Sequence, residues 1–282
     1  MTGIGETAAG ASSARHRVER VRHGLRIRLA TVRAARLLTP RMVRVTLGGE
    51  ELAGFHSGAH DDHVKLFFPR AGEALPILPT VTAEGRVLVD ENARPTARDY
   101  TPRRFDAATG ELDIDFALHE TGPASDWART AEPGKTIGIA GPRGSFVVPD
   151  DFDWYLFIGD ETAWPAIGRR LDELRPGVSV TVLAEVADSA EEQAVPERSG
   201  LDLRWLHRGA GAHAGDAGLL EAAAAAFVAP AGEGYVWIAG ESTVARRLRD
   251  HFIAERGHPR AWLKASGYWK RGAANVHEEH DD

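Results

Sequence analysis

Arg98, Tyr100 and Thr101 stand close together in the run Arg98-Asp99-Tyr100-Thr101, with Arg103-Arg104 just beyond. A guanidinium can pair with a phosphate. A tyrosine ring can lie on an isoalloxazine, and a threonine hydroxyl can hydrogen-bond near that ring's reactive nitrogen. Together the three suit a flavin. The same residues also read as a plain strand edge with a turn at Pro102. A second run, from Leu118-His119-Glu120 through Gly122-Pro123-Ala124-Ser125 to Trp127, leaves a strand, turns, and begins a short helix. Free N–H groups at a helix start, aided by the dipole, suit a pyrophosphate, and Ser125 adds a hydroxyl donor. An N-capped surface helix is the plainer alternative.

A third run, Phe157-Ile158-Gly159-Asp160-Glu161-Thr162-Ala163, sits where a buried strand hands over to a helix. In open α/β sheets ligands bind at such strand ends. Ile238-Ala239-Gly240-Glu241-Ser242 repeats the glycine with an acidic partner. Two such ends facing one crevice say more than one, though ordinary loop chemistry gives the same pattern. Gly141-Pro142-Arg143-Gly144 reads equally as a tight turn. His60-Asp61-Asp62-His63 and His277-Glu278-Glu279-His280 have metal-ligand types, but the second places its histidines three apart, unlike HExxH. Solvated histidines in an acidic tail are the preferred reading, and no metal site is expected. There is no GxSxG elbow and no phosphate-binding GxxxxGK[ST].

The elements that must position these runs change character near Pro149. Before it, Leu25, Ile27 and Leu29 alternate with Arg26 and Arg28, and Val43, Val45 and Leu47 alternate with Arg44 and Thr46. Val64, Leu66 and Phe68 share a face opposite His63 and Lys65, and Leu112, Ile114, Phe116 and Leu118 alternate with carboxylates. Period two marks half-buried antiparallel strands, and short strands between Gly/Pro turns predict a small β-barrel or sandwich. After it, Trp154–Ile158 is a continuous apolar run, as in a buried parallel strand. Trp164, Ile167, Leu171 and Leu174 form a helical stripe ended by Pro176-Gly177. Strands at 178–186, 201–206, 235–239 and 262–268 alternate with helices at 217–229 and 242–255, which predicts a parallel α/β sheet. Residues 1–24 read as a disordered lead-in tail without a signal peptide's apolar core, and residues 272–282 as a flexible tail.

Composition narrows the function. The chain has 282 residues, enough for two domains, and 43% hydrophobic residues, enough for real cores. No cysteine is present, which removes disulfides, thiolate-held iron–sulfur clusters, zinc ribbons and cysteine nucleophiles. A formal charge of −7 argues against a general nucleic-acid binder. No apolar run approaches the ~20 residues of a membrane-spanning helix. The expectation is a cytoplasmic monomer.

An all-β domain followed by a nucleotide-binding-like α/β domain is the order found in flavin reductases of the ferredoxin-reductase type. More narrowly, residues 62–69 (DHVKLFFP), 98–103 (RDYTPR), 115–119 (DFALH) with 122–128 (GPASDWA), 159–163 (GDETA) and 267–272 (GYWKRG) make the chain resemble the siderophore-interacting protein family of flavin-dependent ferric-siderophore reductases. The resemblance covers roughly Leu25 to Gly272. It implies an α+β two-domain fold: a six-stranded antiparallel FAD-binding β-barrel over 25–149 and an α/β parallel-sheet NAD(P)H-binding domain over 150–271. Arg98, Tyr100 and Thr101 would form the flavin motif. His119, Ala124, Ser125 and Trp127 would line the ribityl and pyrophosphate, with Tyr268 and Trp269 near the flavin face. Gly159, Asp160, Glu161, Thr162, Gly240 and Glu241 would border NADPH or NADH. Lys65 would meet the negatively charged siderophore, with Arg143, His277 and His280 as candidates beside it.

The implied activity is passage of electrons from NAD(P)H through FAD to a ferric siderophore, releasing Fe(II). A nicotinamide gives two electrons at once and ferric iron takes one, so a carrier able to take two and release them singly suits the middle position. Siderophore oxygens are hard ligands that prefer Fe(III), so reduction loosens the iron. Two other readings stay open: a flavin reductase with another acceptor, or with ferredoxin as donor, and a non-catalytic siderophore- or flavin-binding protein.

Overall fold

The structure is a computed structural model that describes residues 15–82, 86–90, 93–209, 214–216 and 218–272, with the backbone alone at 278–279. The first half carries β1 (Glu19–Arg22), β2 (Ile27–Thr39), β3 (Met42–Gly48), β4 (Val64–Phe68), β5 (Thr80–Val81), β6 (Val87–Leu88), β7 (Thr96–Tyr100), β8 (Pro102–Asp106), β9 (Glu111–Ala117), helix α1 (Pro123–Arg129), β10 (Thr136–Ala140) and β11 (Gly144–Val147). Seven of these strands form one antiparallel sheet in the order β7-β4-β10-β2-β3-β9-β8. Six strands were expected. The two edge strands, β7 and β8, are consecutive in the chain with only Thr101 between them, so the sheet curls back toward its own start.

Period two sets the faces of this sheet. Val43, Val45 and Leu47 on β3, Val64, Leu66 and Phe68 on β4, and Leu112, Ile114 and Phe116 on β9 all enter the core. The other face of β9 is closed by charge: Arg44 grips Asp115 at 2.6 and 2.7 Å, and Thr46 Oγ1 donates to Asp113 at 2.7 Å. On β2 the period is as expected but the face is reversed. Arg28, Ala30 and Val32 are buried while Ile27 and Leu29 are half-buried. Arg28 goes inside because its guanidinium lies 5.6 Å from the Phe55 ring centroid and donates to the Gly141 carbonyl. A long basic side chain can bury its stem if its head finds such partners.

The second half carries β12 (Trp154–Gly159), α2 (Trp164–Glu173), β13 (Ser179–Val186), β14 (Leu201–His207), α3 (Leu219–Ala226), β15 (Gly234–Glu241), α4 (Ser242–Asp250), β16 (Leu263–Trp269) and β17 (Glu278–Glu279). The sheet order is β14-β13-β12-β15-β16-β17; the first five are parallel and β17 is antiparallel. Every residue of β12 and β15 is buried, as central strands covered on both faces require. The order reverses between β12 and β15, which opens a crevice beyond their carboxyl ends, beside Gly159 and Gly240.

Both expected tails hold structure within their described parts. β1 pairs with β11, with Glu19 opposite Val147, and His16 is buried. The His16 ring stacks on Phe152 at 3.8 Å, with Nδ1 2.7 Å from Asp151 and Nε2 2.8 Å from Glu233. Two carboxylates and an aromatic face give this segment the partners a disordered lead-in lacks. At the other end, the Glu278–Glu279 backbone pairs with Ser266 and Gly267.

Candidate active-site cleft

The two halves meet along a seam of charged contacts. From α2, Arg169 donates to Ser57 Oγ at 2.7 Å and to the Pro102 carbonyl at 3.0 Å, while Asp172 accepts from Arg103 at 2.8 Å. Thr39 Oγ1 donates to the buried Glu191 at 2.6 Å. The His60-Asp61-Asp62-His63 run lies in the same seam. His60 packs against Trp237 and Phe157 of the second half, and burial, then Arg170, holds its imidazole down to about 3. Asp62 turns the other way and accepts from Ser57 and Ser145 at 2.8 and 2.7 Å. No group of three or more potential metal ligands occurs among the described residues.

Along this seam runs a cleft of about 1250 Å³. Its first wall is the β7–β8 junction: Arg98, Tyr100 and Thr101 all line it. Alternation puts Arg98 and Tyr100 on the same face of β7. Arg98 Nη1 donates to the Ala97 carbonyl at 2.7 Å, and the Tyr100 ring rests 4.4 Å from that of Phe116. Burial raises the Tyr100 phenol well above its ordinary range, so it stays neutral. The second wall is the turn into α1, where His119, Ala124 and Ser125 line the cleft. Gly122 takes φ +144°, with open space where a side chain would stand, and no side chain caps the helix. Ser125 Oγ accepts from His119 N at 3.0 Å, which ties the turn down and leaves the hydroxyl its own proton to donate.

The third wall belongs to the α/β half: Glu161, Thr162, Arg208, Tyr268 and Trp269. Asp160 sits behind it, accepting from Trp269 Nε1 at 2.8 Å and from Thr162 Oγ1 at 2.5 Å. Burial, and then the neighbouring Glu161, pushes the Asp160 carboxyl up. Gly240, at φ +150°, allows this arrangement, since a Cβ there would stand 2.8 Å from Asp160 Oδ2. Arg208 is held by two glutamates: both Glu161 oxygens at 2.7 and 2.8 Å, and Glu185 at 3.2 Å. Burial dominates at Glu185 and raises its carboxyl to about 7 despite that arginine.

A carboxyl raised from its ordinary 4.5 to about 7 binds its proton more tightly folded than unfolded. Its contribution to stability is therefore complete below about 4.5 and is lost as pH rises through about 7. Glu185→Gln is expected to flatten the fall in unfolding free energy across that window. Urea unfolding of both proteins at several pH values reads the slopes, and parallel curves would refute the assignment.

Several expected site residues lie elsewhere. Trp127 is in the core behind the cleft, 5.7 Å from both Phe68 and Phe116. Gly159 lies under Ala163. Glu241 caps α4, accepting from Thr243 N at 2.7 Å and Val244 N at 3.1 Å. Lys65 pairs with Asp99 at 2.7 Å, and that aspartate lines the cleft although Lys65 does not. Arg143 is exposed and outside the lining. His277 and His280 lie outside the described residues. Arg41, Arg129 and Lys270 line the cleft without having been singled out. Arg41 follows β2, Arg129 ends α1 and Lys270 follows β16, so no local spacing links them.

The donor set suits FAD: a guanidinium, an uncapped helix start, a hydroxyl, and aromatic faces at Tyr100, Tyr268 and Trp269. A curled antiparallel sheet, then a five-stranded parallel sheet, with a cleft between them, is a ferredoxin-reductase-like fold. The solved ferredoxin reductase of carbazole 1,9a-dioxygenase superposes on 85% of this chain and 68% of its own, with TM-score 0.60 at 18% identity. The chain itself belongs to the siderophore-interacting protein family. Residues 31–146 match the siderophore-interacting FAD-binding domain and residues 152–272 match the siderophore-interacting protein domain. It is 41% identical to the NADPH-dependent ferric-chelate reductase of Escherichia coli over 256 residues, 89% of this chain and 96% of that one. It is 31% identical to the ferric vibriobactin reductase of Vibrio cholerae over 247 residues, 86% and 89% of the two chains. A solved siderophore utilization protein from T. fusca has 42% identity and TM-score 0.86, covering 92% of this chain and 98% of its own.

Proposed function

We propose that this chain is an FAD-dependent ferric-siderophore reductase that draws electrons from NADPH. The observation that carries the reading is the single cleft onto which Arg98, Tyr100, Thr101 and Ser125 of one half and Thr162, Tyr268 and Trp269 of the other all open. Residues 25–149 act as the FAD-binding domain and 150–271 as the NAD(P)H-binding domain, in keeping with the two family matches. Counting β7 and β8 as one strand bent at Thr101 turns the seven-stranded sheet into the six-stranded barrel the family resemblance implies.

Arg98 would hold the FAD phosphate, and Tyr100 its ring system. Ser125 and the first N–H groups of α1 would hold the pyrophosphate, with His119 and Ala124 beside it. When bound, FAD supplies the conversion of a two-electron donor to one-electron transfers. Glu161 and Thr162 would border the nicotinamide nucleotide, and Asp160 would keep Trp269 in place through its indole N–H. Lys65 would draw the anionic ferric chelate toward the Asp99 rim, with Arg143 as a second cation. No helix among the described residues is long and apolar enough to cross a membrane. This reading puts the protein in the cytoplasm, where NADPH is regenerated, as a monomer.

The purified protein should be yellow. Anaerobic NADPH should bleach it, and a ferric siderophore should restore the colour while a ferrous chelator reports Fe(II). A colourless protein that binds no added FAD would end the proposal. Stopped-flow mixing with reduced ferredoxin in place of NADPH tests the donor.

A further inference from the structure

The His60-Asp61-Asp62-His63 run leaves one aspartate that no role above uses. Asp61 belongs to the first half of the chain, yet its carboxylate meets two residues of β16 in the second half. Lys264 Nζ lies 2.9 Å from Asp61 Oδ2, with the side chains 8% and 3% exposed, so the pair is enclosed. Burial alone would raise this carboxyl, but Lys264 foremost brings it down to about 2. Asp61 is therefore an anion at neutral pH and can only accept.

The second contact is with a residue of the cleft wall. Tyr268 Oη donates to Asp61 Oδ1 at 2.5 Å. At that distance a hydroxyl facing a carboxylate makes a charge-assisted bond, roughly twice as strong as a neutral one. The hydroxyl is at the far end of the ring and the backbone of β16 holds the near end, so the ring is fixed at both. Its tip enters the seam at buried Asp61, and the ring packs edge-on 6.1 Å from Trp237. Only the remainder lines the cleft.

An unpinned ring has somewhere else to go. A buried hydroxyl cut off from its acceptor costs free energy, and turning outward returns it to water. In the cleft the ring would also find flat aromatic surfaces to stack on. There it would occupy the space in which a nicotinamide must approach the flavin.

We propose that Asp61, paired with Lys264, anchors Tyr268 across the seam and so keeps its ring retracted from the space a nicotinamide needs beside FAD. Asp61 and Lys264 are positioning residues: neither lines the cleft, and both act through Tyr268. The inference rests on the reading of the cleft as a site for FAD and NADPH.

The NADP+ dissociation constant of the FAD-loaded protein, followed by the shift of the flavin absorption band, tests it. Asp61→Leu/Lys264→Met replaces the enclosed pair by apolar side chains of similar volume, which buried pairs often tolerate, and strands the Tyr268 hydroxyl. NADP+ should bind about fivefold more weakly, and the KM for NADPH should rise while kcat holds. Asp61→Asn/Lys264→Met has the same net charge but leaves Tyr268 an acceptor, and should bind NADP+ like the wild type. Adding Tyr268→Phe to the leucine variant should restore affinity, because a phenyl ring has no hydroxyl to satisfy and stays beside Trp237. Tyr268→Phe alone keeps the ion pair, serves if the leucine variant does not fold, and should retain wild-type affinity. Weaker NADP+ binding in Tyr268→Phe would mean that the hydroxyl serves the nucleotide directly, and it overturns the inference. Equal affinity in the leucine and asparagine variants, or no rescue by phenylalanine, overturns it too. These outcomes leave the FAD reading intact, whereas failure of the wild-type protein to bind FAD overturns both.

Discussion

Arg98→Ala is expected to purify largely colourless, with its FAD dissociation constant raised about 10- to 100-fold, since a charge-assisted hydrogen bond is worth about 1.5–3 kcal/mol and each 1.4 kcal/mol is tenfold. The strand dictates the site. Arg98 is two residues from Tyr100, so both point to the cleft side of β7, and its bond to the Ala97 carbonyl lays the guanidinium along the strand. A planar fork held this way meets a phosphate with two parallel N–H bonds. Arg98→Lys should rescue little, because an ammonium supplies the charge but not the fork. Titrating apoprotein with FAD and following flavin fluorescence gives the constants. Wild-type affinity in Arg98→Ala would remove Arg98 from the flavin site, and full rescue by lysine would reduce its role to charge alone.

Local chemistry makes these two walls of the cleft readable in the sequence. Arg98, Tyr100 and Thr101 fall within four residues of the chain, and His119, Ala124 and Ser125 within seven, so each cluster needs only one strand or turn to assemble it. The parallel sheet was equally open, because β12 is apolar throughout and β15 is apolar up to its final glutamate, and strands buried on both faces look like little else. What stayed hidden depends on long-range partners. β2 has good period-two alternation, yet its buried face carries Arg28, and nothing near residue 28 announces Phe55 or Gly141. Asp61 and Tyr268 are 207 positions apart, and no spacing rule reaches that far. Glu241 looked like a nucleotide contact because it follows a strand-end glycine. Its carboxylate instead serves two N–H groups at the start of α4, and both roles have the same local sequence. One long-range pair does leave a local mark: buried Lys264 lies 2.9 Å from Asp61. Lys264 stands in a strand whose next four residues are all small or aromatic, and a lysine buried there requires a carboxylate from elsewhere.

Lys264→Met should accordingly destabilise the protein by about 3–5 kcal/mol at neutral pH, the usual effect of leaving one member of a buried ion pair alone. Methionine keeps most of the side-chain volume, and its sulfur can take over the contact with the Phe146 ring, which now has the ammonium 4.4 Å from its centroid. The loss is therefore electrostatic and not a cavity effect. The pH dependence separates the two. In the wild type, Asp61 is held at about 2, below its ordinary 3.8, so its contribution is present above about 3.8 and fades as pH falls toward about 2. Without Lys264, burial governs and raises the carboxyl, so the sign reverses and the variant gains stability as pH falls from neutrality. Adding Asp61→Asn removes the stranded charge while keeping an acceptor for Tyr268, and the double variant should recover more than half of the loss. Urea unfolding of the wild type and both variants at pH 7 and pH 5 decides it. If Lys264→Met is equally destabilised at both pH values and Asp61→Asn restores nothing, the pair does not hold the seam by charge.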